Sequence, residues 1–118
     1  MNTSTIDTEE ISFQIIACAG DALSKMHLAL VYSKAQQFSE ATRLMQEANA
    51  SLNEGHNSHT RLLVAESEGS CASYSPLLAH AQDSLMNALL AHTLFQEFIE
   101  IYQHLNGARD ESFNVNAS

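Results

Sequence analysis

At 118 residues the chain has room for one domain with its own core and for no second globular unit. Its composition, 45% hydrophobic with one proline, four glycines and no tryptophan, is that of a helical protein. A formal net charge of -9, with five Lys and Arg scattered along the chain, argues against nucleic acid, which needs a basic stripe, and favours a basic protein partner. Cys18 falls in an apolar helical run and Cys71 in a loop, with no paired or metal-type spacing, which points to reduced cysteines in a cytoplasmic chain. Met1 to Glu10 carries acidic and hydroxyl residues where a signal peptide would carry lysine and an apolar run, and no stretch is expected to approach the length of a membrane span.

A polar tail over residues 1–7 has almost nothing to bury. Asp7-Thr8-Glu9-Glu10 then supplies a cap residue, a Glu three positions on and an acidic first turn, so a helix starts here. Ile11, Ile15, Cys18 or Ala19, Ala22, Met26 and Leu30 recur at spacings of three and four and carry this helix to about residue 36. Gly20 interrupts it at about 1 kcal/mol relative to alanine, which marks close helix packing or the approach of another backbone. Gln36-Gln37-Phe38-Ser39 is a short break with Ser39 as the cap of a second helix. Ala41, Leu44 with Met45, Ala48, Leu52, His59 and Leu63 carry that helix to about Ala65, antiparallel to its neighbours because the links are short. Glu66 to Tyr74, rich in serine and acidic residues with a glycine, reads as the chain's one mobile loop.

The third helix has the strongest boundary signals. Ser75 is its cap, Pro76 occupies the first helical position where a missing donor costs nothing, and Asn106-Gly107 marks its end. Leu77, Leu78, Ala81, Leu85, Ala88, Leu89, Phe95, Phe98, Ile101, Tyr102 and Leu105 cover more than one stripe, more than a small bundle can bury. Helices of about 40 Å make a thin rod, and a rod apolar on two sides of its third helix associates with copies of itself. The expected fold is all-α: an antiparallel three-helix protomer over residues 8–107 with polar tails at 1–7 and 108–118.

Near the start of the third helix His80, Asp83, Ser84 and Asn87 are spaced by three or four residues and share one face. Such a polar row in an apolar helix needs a partner to offset its desolvation. A neutral imidazole at His80 is a competent nucleophile that forms a labile phosphoramidate, provided one ring nitrogen is free and the other is held. Gln82, Ser84 or a group from a neighbouring subunit are the candidates to hold it, and the nearby helix N-terminus would favour the added charge. His56 and His59, at i and i+3, make at most half a metal site. His27, His92 and His104 read as packing or surface residues.

His80-Ala81-Gln82-Asp83-Ser84-Leu85-Met86 resembles the active-site motif of the enzyme IIA components of the lactose, cellobiose and chitobiose branch of the bacterial phosphotransferase system. The similarity extends over Ile15-Ile16 with Gly20-Asp21-Ala22, Phe38 to Ala41, Leu52 to His56 with Thr60, and Glu66 to Gly69. The resemblance implies a cytoplasmic homotrimer packed through its third helices. His80 would accept a phosphoryl group from the histidine-containing phosphocarrier protein and pass it to enzyme IIB, for a permease that binds a beta-linked disaccharide. Asp83 would meet its two symmetry copies on the trimer axis around a divalent metal ion, Mg2+ being the best match to three carboxylates. Where most members of the family carry a second histidine this chain has Ser84, and where they carry a glutamine before Thr60 it has His59. His56 or His59 are candidates to supply what Ser84 does not. The alternative expectation is a trimeric helical binding or regulatory module of the same fold with weak or lost transfer.

Overall fold

The structure, a computed structural model, describes residues 7–69 and 75–117, with side chains as far as residue 108. Three helices follow one another, α1 over Thr8–Lys34, α2 over Phe38–Ser67 and α3 over Pro76–Ala117, and the described residues contain no strand. The Asp7 carboxylate accepts from the Glu10 N–H at 3.1 Å, so α1 begins at the expected cap. It ends two residues earlier than expected, at Lys34, through a residue that gives little warning. Gln36 takes a left-handed conformation (φ 64°), and the N–H groups of Gln36 and Gln37 close back onto the carbonyls of Ser33 and Tyr32 at 3.0 and 2.9 Å. This is the bonding of a helix stop usually built on glycine. α2 starts at Phe38 after Gln37, with no side-chain cap, so Ser39 lies inside the helix and is not its cap.

The buried face of α1, Ile11, Ile15, Ala19, Ala22, Met26 and Ala29, follows the sequence period, with Leu30 half-buried at its edge. The face of α2 does so only to Leu52. Beyond it the core positions are Gly55, Ser58, Leu62 and Ala65, while His59 is half-buried and Leu63 is exposed, one residue out of phase with the expectation. The reason lies in the interface. A Cβ built on Gly55 would stand 3.1 Å from Cys18 Cβ and 3.3 Å from Leu85 Cδ1, so all three helices close on that glycine. Buried Ser12 and Ser33 donate to the carbonyls of Thr8 and Ala29 one turn back, which satisfies them inside the core. Burial, assisted by the carboxylates of Glu54 and Asp21, pushes the Cys18 thiol up and keeps it protonated. Glu66 and Ser67, expected in the loop, belong to α2, and Cys71 lies with the rest of residues 70–74 outside the described residues.

Gly20 does not mark close packing. It is exposed, and nothing lies within 4 Å of a Cβ placed there. Gly20→Ala is therefore expected to stabilise the protein by about 0.5–1 kcal/mol, read as a higher urea midpoint at fixed protein concentration.

α1 packs along both other helices, whereas α2 and α3 touch each other least, and the whole measures 77 × 23 × 19 Å. By length and composition α1 is apolar enough to cross a membrane, contrary to the expectation that no stretch comes near that length. Its apolar side here is the bundle core, where Ile15 and Met26 have no exposed surface.

α3 departs most from expectation. It does not end at Asn106-Gly107: the helix continues to Ala117, and an exposed glycine with nothing around its Cβ position lets it pass. One side of α3 enters the core through Leu78, Ala81, Leu85, Ala88 and Ile99. Another stays uncovered, with Met86, Leu90, Leu94, Phe98, Ile101 and Leu105 each between 46% and 60% exposed.

Candidate active site

The first turns of α3 are held by their cap. Ser75 Oγ accepts from the Leu78 N–H at 3.1 Å and its carbonyl from the Ala79 N–H, also at 3.1 Å. With Pro76 lacking a donor, little of the helix N-terminus is left to reach a charge on His80, so the assistance expected from it is small. His80 itself is exposed, and no hydrogen bond from the described residues reaches its ring.

The polar row is open to solvent in the single chain, where the sequence suggested an apolar setting. Asp83 and Asn87 are exposed and Ser84 half-buried. Asn87 Nδ2 donates to Asp83 Oδ2 at 3.4 Å, and the Ser84 hydroxyl donates to the backbone carbonyl of His80 at 2.8 Å. Ser84 is thus bound one turn back on the main chain and does not hold the imidazole.

Gln82 does not hold it either. Side chains 80 and 82 diverge by about 160° around a helix, so Gln82 turns toward α2, where its Nε2 meets His59 Nε2 at 3.3 Å. His56, one turn before His59 on α2, is exposed. The structure therefore joins Gln82 to His59 and leaves His80, Asp83 and His56 separate within one chain. The Gln82–His59 link is what sequence reasoning missed. Its signal was the angular divergence of positions 80 and 82, together with a polar residue at the edge of the α2 core. No group of three His, Cys, Asp or Glu among the described residues could hold a metal ion.

Burial, and secondarily the charge of His56, holds the His59 imidazole below its ordinary pKa of 6.5. The sign follows from which state binds the proton more tightly. The unfolded chain does, so the stability associated with neutral His59 is complete above about pH 6.5 and is lost as pH falls through the lower folded value. Urea denaturation between about pH 8 and about pH 5 is expected to show that loss. In His59→Gln the same curve should be flatter, since the replacement does not titrate.

The family described as "PTS system, Lactose/Cellobiose specific IIA subunit" matches residues 10–103. The lactose-specific EIIA component of the PTS system of Staphylococcus epidermidis is 38% identical over 97 residues, covering 82% of this chain and 93% of that protein. The lichenan-specific phosphotransferase enzyme IIA component of Bacillus subtilis is 33% identical over 106 residues, covering 90% and 96%. Among solved structures, the PTS cellobiose-specific enzyme IIA from Bacillus anthracis superposes with a TM-score of 0.81 at 38% identity, covering 91% of this chain and 95% of that one. The IIA(Chitobiose)–HPr complex of Escherichia coli gives a TM-score of 0.75 at 32% identity, covering 86% and 98%.

Proposed function

Because the chain belongs to the lactose/cellobiose-specific IIA subunit family of the phosphotransferase system, we propose that His80 is its phosphoryl acceptor. The observation that carries this is the exposed His80 ring, to which none of the described residues is hydrogen-bonded, at the start of a capped helix. The unprotonated ring nitrogen attacks the phosphorus of the phosphohistidine on the histidine-containing phosphocarrier protein, the IIA partner named in the solved complex. A phosphorus–nitrogen bond forms to His80 as that to the donor imidazole breaks, and the other ring nitrogen keeps its proton. The group then passes to a cysteine of enzyme IIB, serving a permease for a beta-linked disaccharide from the cytoplasmic side. Exchange between two imidazoles of similar basicity leaves the proteins positioning and electrostatic work.

The working unit is a homotrimer. At 100° per residue Asp83, Leu90, Leu94 and Ile101 fall within about 20° of one line along α3, flanked by Phe98 and Leu105. Three such stripes meeting on an axis would cover the exposed apolar surface and bring three copies of Asp83 together at one end. At the Asp83 end of this stripe each copy offers one exposed carboxylate, and the described residues hold no cluster of three metal ligands, so a metal there would fit as a shared site, where hard oxygen donors suit Mg2+. A cation bound there would offset the repulsion among the three carboxylates.

Ser84 supports a second reading, a trimeric binding or regulatory module with weak transfer, because its hydroxyl is turned to the backbone and brings no charge toward His80. Incubation with phosphoenolpyruvate, enzyme I and the phosphocarrier protein, followed by intact-mass measurement, separates the two. An acid-labile adduct mapping to the His80 peptide supports the carrier; an unlabelled protein beside a labelled carrier control supports the module. Ser84→His is expected to raise the transfer rate by about three- to tenfold in the same assay, as a charge-assisted donor is about twice as strong as a neutral one.

A further inference from the structure

The core-facing line of α3 runs through Leu78, Ala81, Leu85 and Ala88 and, at the same spacing of three and four, through His92, Gln96 and Ile99. Two polar residues thus stand at core positions, and there a groove of about 340 Å³ opens between α2 and α3. Buried Met45 and Ile99 form its apolar part. Thr42, Gln46 and Asn49 line it from α2, and half-buried His92 and Gln96 from α3. None of these five polar side chains makes a hydrogen bond to the described residues. Polar groups at core positions are costly unless water or a ligand satisfies them. His92 and Gln96 lie about 180° and about 140° around α3 from Asp83, and about 20 Å along the helix from His80. The groove is therefore separate from the transfer site and opens away from the apolar stripe.

No lysine, arginine, aspartate or glutamate lines this groove, although the chain carries a net charge of -9. The charged residues of this part of α2 are engaged elsewhere: Arg43 pairs with Glu40 and Glu47, and Glu47 also with Lys25 of α1. An anion would meet no cation in the groove, and a cation no carboxylate. What the groove offers is three carboxamides, a hydroxyl and an imidazole, groups that donate as well as accept. Sugar hydroxyls do the same, and the C–H face of a pyranose ring suits Met45 and Ile99. The lining covers about 10 Å of each helix, and the volume is at the lower end of the range of about 300–1,000 Å³ usual for small-molecule sites. A peptide would need a strand edge or a row of apolar anchor pockets, and the groove has neither. We infer that the α2–α3 groove binds a neutral sugar of one or two rings and discriminates against its phosphorylated form. This goes beyond the carrier reading, which guides only the choice of a beta-linked disaccharide as probe.

The test is a titration of the 15N-labelled protein with cellobiose, followed through its side-chain amide signals. Cellobiose is expected to shift the carboxamides of Gln46, Asn49 and Gln96 with a Kd on the order of 1 mM, and to leave those of Gln14 and Gln82 in place. Asn49→Leu and Gln96→Leu, each first checked for unchanged helicity, should raise Kd by about fivefold, the worth of one hydrogen bond. His80→Ala should bind as the wild type does. Phosphorylated cellobiose should bind at least about tenfold more weakly, because its charge finds no partner in the groove. The inference is overturned by the absence of shifts at about ten times the expected Kd, by shifts confined to the surroundings of His80, or by an unchanged Kd in both folded variants. Phosphorylated cellobiose binding as tightly as cellobiose would also overturn it. So would a capped alanine peptide that shifts the same signals more strongly, which would make the groove a peptide site. None of these results touches the carrier reading, which stands or falls with the labelling of His80.

Discussion

Leu94→Asp combined with Ile101→Asp is expected to give monomers at concentrations where the wild type is expected to sediment as the proposed trimer. The six exposed stripe residues of α3 are about half uncovered, and covering the remainder yields on the order of 1 kcal/mol apiece, or about 6 kcal/mol per copy before the costs of association. A carboxylate buried without a partner loses on the order of several kcal/mol, and symmetry repeats each substitution three times at close range. The opposing terms are thus of similar size, and the seam opens. Both positions are exposed in the single chain, so the bundle should keep its helicity. Sedimentation velocity reads the mass and circular dichroism the fold. A double variant that remains trimeric would mean that association does not use this face.

His80→Ala has the second large effect. Phosphoryl acceptance should fall by at least about a thousandfold, as expected when the nucleophile of a covalent step is removed. Stability should change by no more than about 0.5 kcal/mol, because the ring is exposed, makes no hydrogen bond to the described residues and gives way to a better helix former. Intact mass after incubation with the donor proteins reads the first, and urea denaturation the second. Undiminished labelling of His80→Ala would move the site to another histidine, with exposed His56 the first to examine.

Legibility followed the strength of each local signal. The start of α1 was readable because Asp7 caps with its side chain, and the start of α3 because Ser75-Pro76 combines a cap with a residue suited to the first turn. The α1–α2 turn was blurred because a glutamine, Gln36, adopts the left-handed conformation normally left to glycine. The phase of α2 slipped after Leu52 because Gly55 and Ser58 are core residues without hydropathy, while Leu63 is apolar and exposed. The end of α3 was misplaced because a helix interior tolerates an exposed glycine such as Gly107 for about 1 kcal/mol, which a long helix offsets through its other residues. The family motif drew attention to His80 and Asp83, and the unmatched apolar side of α3 pointed to self-association. The link from Gln82 to His59 was legible only in part: the spacing of 80 and 82 turns Gln82 away from His80, but does not say which residue of α2 it meets.

The order of the helices also bears on how copies find one another during synthesis. α1 and α2 leave the ribosome first and can close into a hairpin around Ile15, Met26 and Leu52 while α3 is still being made. The uncovered stripe belongs to the last helix, so the surface for association is completed only after the other two helices have been made. Mutual repulsion from a charge of -9 per chain then discourages indiscriminate clumping in the interval before two matching stripes arrive.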